Sequence, residues 1–126
     1  MKSVFYTRSK EEYRALAEQL IGEIPDAQPY HMEQDGNFHF MEGELAVITL
    51  DGALGMETML EYSSRFPYAM VVWVTDDRYF ARMAIRRHIF DFILRPLTKE
   101  RFLETIRKAA ARRSGLQATG TGVTQV

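Results

Sequence analysis

Asp51, Thr75 and Arg95 are the residues whose types and placement could do chemistry together. Asp51 directly follows the apolar run LAVITL (Leu45–Leu50), Thr75 follows AMVVWV (Ala69–Val74), and Arg95 follows FDFIL (Phe90–Leu94). A carboxylate, a hydroxyl and a cation from three strand ends would surround a phosphoryl group. The acid would be the nucleophile, and the other two would bind its oxygens. Thr7 and Arg8, at the end of the run KSVFYT, and Asp76, beside Thr75, would line the same mouth. Other chemistries lack their residues. Cysteine is absent, which excludes disulfides, thiol catalysis and thiolate metal sites. His31, His39 and His88 are separated by 8 and 49 residues, which matches no metal-ligand spacing. There is no G-x-S-x-G, G-x-G-x-x-G or G-x-x-x-x-G-K-[ST]. The expectation is therefore a protein that is not an enzyme. A small α/β ligand-binding or enzymatic domain is the alternative from another class, with no base or cofactor loop to support it.

The elements that must position these residues follow from periodicity and punctuation. Lys2–Thr7 is a short β-branched and aromatic run, so a strand. Ser9 with Glu12 is a capping box. Behind it Tyr13, Leu16, Ala17, Leu20 and Ile21 form a helical stripe that ends near Gly22. Ala27–Met32 reads as a second strand, at an edge because of Pro29. Asp35-Gly36-Asn37 is a turn, and Phe38–Gly43 is too short for more than one or two helical turns. LAVITL is apolar apart from Thr49, as suits a parallel strand covered on both faces. A helix over Met56–Phe66 follows, with Met56, Met59, Leu60 and Ser63 inward. AMVVWV is the next strand. Asp76 or Asp77 caps a helix over Arg78–His88, with Phe80, Ala84 and Ile85 or His88 facing in. After FDFIL, Thr98 caps a last helix with Phe102, Leu103, Ile106 and Ala110 as its stripe. Five strands alternating with helices make a doubly wound α/β fold with a parallel sheet. Such sheets hold their sites beyond the C-terminal ends of the strands.

A chain of 126 residues, 46% hydrophobic and 26% charged, is one globular domain. Residues 1–113 form the domain. Ser114–Val126, rich in Gly and Thr, reads as a flexible linker or disordered tail. No apolar run approaches the ~20 residues that span a bilayer, and MKSVFYTRSKEE turns charged too early for a secretory signal. A cytoplasmic protein without a membrane partner is expected. The net charge of -1 hides a polarity: residues 1–77 carry 5 basic and 14 acidic side chains, residues 78–126 carry 11 basic and 3 acidic ones. Arg78, Arg82 and Arg86 form a self-repelling row at i, i+4, i+8. No helix-turn-helix or aromatic stacking platform is present, so the row predicts a protein partner rather than nucleic acid.

In this order and spacing the chain resembles a response-regulator receiver domain, over roughly residues 1–113. LAVITLDGALGMET resembles the family's third strand, phosphoacceptor Asp and following loop. VVWVTDD resembles its fourth strand with the switch hydroxyl, and FDFILRPLTKERFLETIRKA its fifth strand and last helix. The resemblance implies a five-stranded parallel sheet of order 2-1-3-4-5 between two helical layers. It implies Asp51 as phosphoacceptor, Thr75 as switch hydroxyl, Phe92 as switch aromatic, Arg95 in the place of a Lys, and a cis bond before Pro96. It further implies a sensor histidine kinase, a C-terminal effector domain with a transcriptional output, and signalling through the face of the fourth helix, fifth strand and last helix.

The departures from that pattern set the remaining expectations. Receivers carry two acids just after the first strand; here that strand ends Tyr6-Thr7-Arg8-Ser9. Mg²⁺ wants a shell of oxygen ligands, so Asp51 alone makes a poor site. No cofactor is expected, with Mg²⁺ as the alternative. The reading is a degenerate receiver that relays a signal by protein contact; the alternative is a receiver still phosphorylated on Asp51. An unpaired carboxylate at a partly dry sheet edge is costly, so Arg8 or Arg95 should lie within ion-pair distance of Asp51. A homodimer, or docking of an effector domain, is expected through the face of Arg78–His88, the fifth strand and the Thr98–Arg113 helix; in the dimer Arg78, Arg82 and Arg86 of one subunit would meet Asp91, Glu100 and Glu104 of the other.

Overall fold

The computed structural model describes residues 1–34 and 39–122, of which 116–122 by their backbone alone. The strands β1 (Lys2–Tyr6), β2 (Gln28–His31), β3 (Leu45–Ile48), β4 (Met70–Thr75) and β5 (Asp91–Leu94) form one sheet. All neighbours are parallel and the order is β2-β1-β3-β4-β5. The helices are α1 (Lys10–Glu23), α2 (Gly52–Arg65), α3 (Ala81–Arg86) and α4 (Lys99–Gly122), with a 3₁₀ turn at Arg78–Phe80.

The near-continuous apolar strands are explained by cover on both faces. In β3, Leu45 and Val47 belong to the core under α1 and α4, while Ala46 and Ile48 belong to the core under α2 and α3. Val72 and Val74 alternate with Val71 and Trp73 in the same way along β4. Leu16 and Leu20 of α1 and Phe102 and Ile106 of α4 close the first layer; Met59 and Tyr62 of α2 and Ala84 of α3 close the second. Ile21, read as inward, is 43% exposed on the far side of α1.

Two elements differ from the sequence reading, the helices that follow β3 and β4. The helix after β3 begins at Gly52 rather than Met56, immediately past Asp51. Two glycines permit this. Gly52 takes φ +62, which favours glycine, and a Cβ on Gly55 would sit 1.9 Å from the Leu50 carbonyl oxygen. Among the described residues, no helix lies between β2 and β3. The chain there is held by tyrosines from below: the Tyr62 hydroxyl donates to Met41 O and accepts from Gly43 N–H, each at 2.9 Å, and Tyr6 donates to His39 O. The turn expected at Asp35-Gly36-Asn37 lies outside the described residues. The helix expected over Arg78–His88 is a 3₁₀ turn followed by six α-helical residues, and His88 takes φ +53. Only Ala84 of α3 is buried, while Ile85 and His88 face outward, so little packing holds a longer helix together.

Capping follows the sequence closely. Ser9 Oγ accepts from Glu12 N–H, Asp77 Oδ1 from Tyr79 N–H, and Thr98 Oγ1 from Arg101 N–H. Helical backbone in α4 continues past Arg113 to Gly122, into the segment read as a linker. Extending a formed helix is far cheaper than starting one.

The charge polarity of the chain is neutralised in part inside the fold. Arg95 reaches Glu12 and Asp51, Arg107 reaches Glu23, and Arg113 reaches Asp26 and Glu44. Asp91 is fully engaged by its own chain: Arg101 binds both carboxylate oxygens at 2.9 and 3.0 Å, and the Thr105 hydroxyl donates to one of them. Burial pushes the Asp91 carboxyl up, but these hydrogen bonds outweigh it and hold its pKa below the ordinary value.

Two outcomes test this account. Gly55→Ala forces the start of α2 away from Leu50. An overpacked core position costs about 1–3 kcal/mol, so thermal melting should fall by roughly 5–10 °C; an unchanged melt would refute the close approach. Asp91 ionises more readily folded than unfolded, so its contribution is present above the unfolded Asp value and lost as pH falls through the folded one. The stability gap between wild type and Asp91→Asn should be wide at pH ~6 and close as pH drops below about 4. A gap independent of pH would show that the carboxylate charge is not what holds α4 to β5.

Candidate functional site

The C-terminal ends of β1, β3, β4 and β5 meet at one edge of the sheet, and Asp51 stands there as the residue before α2. Its Oδ2 accepts from Arg8 Nη1 at 3.0 Å, and its Oδ1 lies 3.4 Å from Arg95 Nε, close but without hydrogen-bond alignment. Both candidate arginines therefore reach the carboxylate. The Asp51 side chain is 33% exposed and that of Arg95 only 13%.

Arg95 holds more than Asp51. Its Nη1 donates to Glu12 Oε2 at 3.1 Å and its Nη2 to the Thr49 carbonyl at 2.8 Å. Glu12 Oε1 in turn accepts from the Thr49 hydroxyl at 2.6 Å and from Arg8 N–H at 3.2 Å. Burial pushes the Glu12 carboxyl up; the hydrogen bonds from Thr49, Arg8 and Arg95 overcome it and leave the pKa lowered. Glu12 and Thr49 are the site residues that the sequence reading missed. Glu12 was assigned to the capping box, but its carboxylate turns to the mouth and leaves only its backbone N–H on Ser9. The signal was Thr49, the one polar residue in LAVITL: fully buried, it needs a partner.

The other expected residues are near the mouth but otherwise occupied. Thr75 is buried at the end of β4, and its Oγ1 accepts from Asp77 N–H at 3.3 Å; no hydrogen bond joins it to Asp51 among the described residues. Asp76 is exposed. Phe92 is half-buried and packs edge-on against Trp73 at 5.6 Å. The Arg95–Pro96 bond is cis, and Pro96 is exposed. Thr7 donates to Ser9 O, so the proton on the 3.0 Å contact between Thr7 Oγ1 and His31 belongs to Nε2 of the imidazole. His31 stacks on Tyr13, and burial holds its pKa below the ordinary value. Arg78, Arg82, Arg86, Glu100 and Glu104 are exposed. Glu104 pairs with Lys108, and Asp91 is spent on Arg101, so the expected pairing of arginines with these acids across a dimer has lost its central acid.

A divalent cation does not fit the residues at this mouth. Two carboxylates face it, and both are already bound by guanidinium groups. No cluster of three acidic or histidine side chains able to hold a metal occurs among the described residues. A hard cation would have to displace Arg8 from Asp51 and Arg95 from Glu12, with both positive charges still nearby.

No protein-family profile and no curated protein matches the chain. Solved structures do. The receiver domain of AraT, a response regulator from Geobacillus stearothermophilus, superposes with a TM-score of 0.72 at 17% identity, over 92% of this chain and 97% of that one. A response regulator receiver domain protein from Clostridium thermocellum gives 0.68 at 15% identity, over 91% and 98%. The response regulatory domain of protein mrkE from Klebsiella pneumoniae gives 0.65 at 20% identity, over 89% and 97%. With its strand order and one helical layer on each face, this chain has the fold of the response-regulator receiver domains.

Proposed function

We propose that the chain is a signal-transduction receiver module of degenerate type, which relays a signal by protein contact without obligatory phosphorylation. The observation that carries this reading is the closed network at the strand mouth. Arg8 and Arg95 neutralise Asp51 and Glu12 in place of a metal, so the charges at the mouth are balanced by the chain itself. An entering phosphoryl group would meet a carboxylate whose lone pairs already face two guanidinium groups. The module then acts as a fixed surface, and its partner is an effector domain or another protein. The competing reading, phosphorylation of Asp51 by a histidine kinase, is favoured by the partial exposure of that carboxylate.

Two measurements decide between these readings. Incubation with acetyl phosphate or phosphoramidate and Mg²⁺, followed by intact mass, should show no adduct. A gain of about 80 Da, one phosphoryl group, that disappears in Asp51→Asn would overturn the contact-only reading. Titration with Mg²⁺ or Mn²⁺, followed by amide shifts and Trp73 fluorescence, should show no saturable binding below about 1 mM. Arg8→Asp removes one competing cation and adds an acid, so it should bind Mn²⁺ at least about 10-fold more tightly than wild type. Tight binding by the wild type would show that the guanidinium groups yield to a metal.

A further inference from the structure

The basic second half of the chain sends its cations in two directions. Those of β5 and the C-terminal half of α4 go inward to acids of the first half: Arg95 to Glu12, Arg107 to Glu23, and Arg113 to Asp26 and Glu44. Those around α3 do not. Arg78, Arg82, Arg86 and Arg87 are all exposed, and none of them makes an ion pair among the described residues. Tyr79 and Ile85 lie among them, 81% and 72% exposed.

The neighbouring helix carries the opposite sign. Met56 and Leu60 of α2 pack on the same core as Phe80 and Met83 of the α3 segment, so the two elements share one face of the molecule. On its outer side α2 presents Glu57 and Glu61. They flank a shallow cleft of about 320 Å³ lined by Glu57, Leu60, Glu61 and Ser64, at i, i+3, i+4 and i+7. Leu54, one turn earlier, is 36% exposed. Glu61 has only the solvent-exposed Arg65 as partner, and Glu57 pairs with no cation among the described residues.

We propose that this α2–α3 face is a two-fold interface with a second copy of the chain. The arginine ridge of each subunit would lie along the Glu57–Glu61 row of the other, with Ile85 and Tyr79 seated against Leu60 and Leu54. An isologous contact uses one patch twice, so a patch bearing both an exposed acidic row and an exposed basic row is self-complementary. These acids and bases do not pair with one another within one chain, and the one internal pair that association would disturb, Glu61 with Arg65, is an exposed i,i+4 pair of small worth. Apolar side chains exposed among the charges supply the buried centre, and the charges set partner choice and register. The proposal names the partner for the contact-relay reading and rests on it, with a different acidic row from the one expected on β5 and α4.

Sedimentation of the full chain at ~50 mM salt tests it. The wild type should approach twice the monomer mass by ~100 μM. Arg82→Glu and Glu57→Arg should each weaken association by at least about 10-fold, and the double variant should recover to within about 3-fold of wild type. Glu100→Arg, on α4, should leave association unchanged. Circular dichroism of each variant checks that these exposed substitutions leave the fold intact. A wild type still monomeric at that concentration would overturn the proposal, as would a double variant no better than the singles, or dissociation by Glu100→Arg alone. None of these results bears on whether Asp51 accepts a phosphoryl group, so the two readings fail separately.

Discussion

The guanidinium of Arg95 is the group on which the mouth of this sheet depends. It sits at the end of β5 with 13% of its side chain exposed, and so requires counter-charge and acceptors close by. Glu12 from α1, Asp51 before α2 and the carbonyl of Thr49 after β3 supply them. One side chain thereby ties three segments far apart in sequence to the last strand. Removing one partner of a largely buried pair leaves the other charge uncompensated, at about 3–5 kcal/mol. The network is therefore a structural clasp as much as a site. Arg8 adds a second cation from the solvent side, and the four charges cancel.

The geometry behind the clasp is that of a sheet dry on both faces. Alternating side chains of β3 and β4 feed two cores, and the helices on either side leave only the strand ends open. Gly52 and Gly55 let α2 begin directly behind Asp51, which fixes the carboxylate at the opening. In the same layer, Tyr6 and Tyr62 use their hydroxyls to hold the chain between β2 and β3, where no helix lies among the described residues. Burial pushes both phenols well up, to about 12 for Tyr6, so they stay neutral and act as hydrogen-bonding groups throughout the physiological range.

Charge separation along the chain has two consequences in the folded molecule. Ion pairs between α4 and the first half of the chain bind the ends of the fold together. The arginines of the α3 segment stay outside that arrangement. The segment is short and buries only Ala84, so its charged side chains are presented on a lightly anchored element. The charges at the mouth cancel one another, while Arg78, Arg82, Arg86 and Arg87 are left on the surface of the α3 segment.

Sequence alone determined the order of strands and helices, because the runs KSVFYT, LAVITL, AMVVWV and FDFIL are short, apolar and separated by stop signals. It also determined which residues stand at strand ends, hence the proximity of Arg8, Asp51 and Arg95. Local capping by Ser9, Asp77 and Thr98 was equally legible, since a cap is made within three residues. Tertiary structure decided what local rules do not contain. Glu12 satisfies a capping pattern by its backbone, while its side chain goes to a threonine 37 positions away and an arginine 83 positions away. Asp91 looked available for a partner until α4 folded back and placed Arg101 and Thr105 on it. Spacing fixes which side chains share a face. Which charge meets which across the fold depends on how the elements pack, because a buried ion takes the nearest partner that packing brings to it.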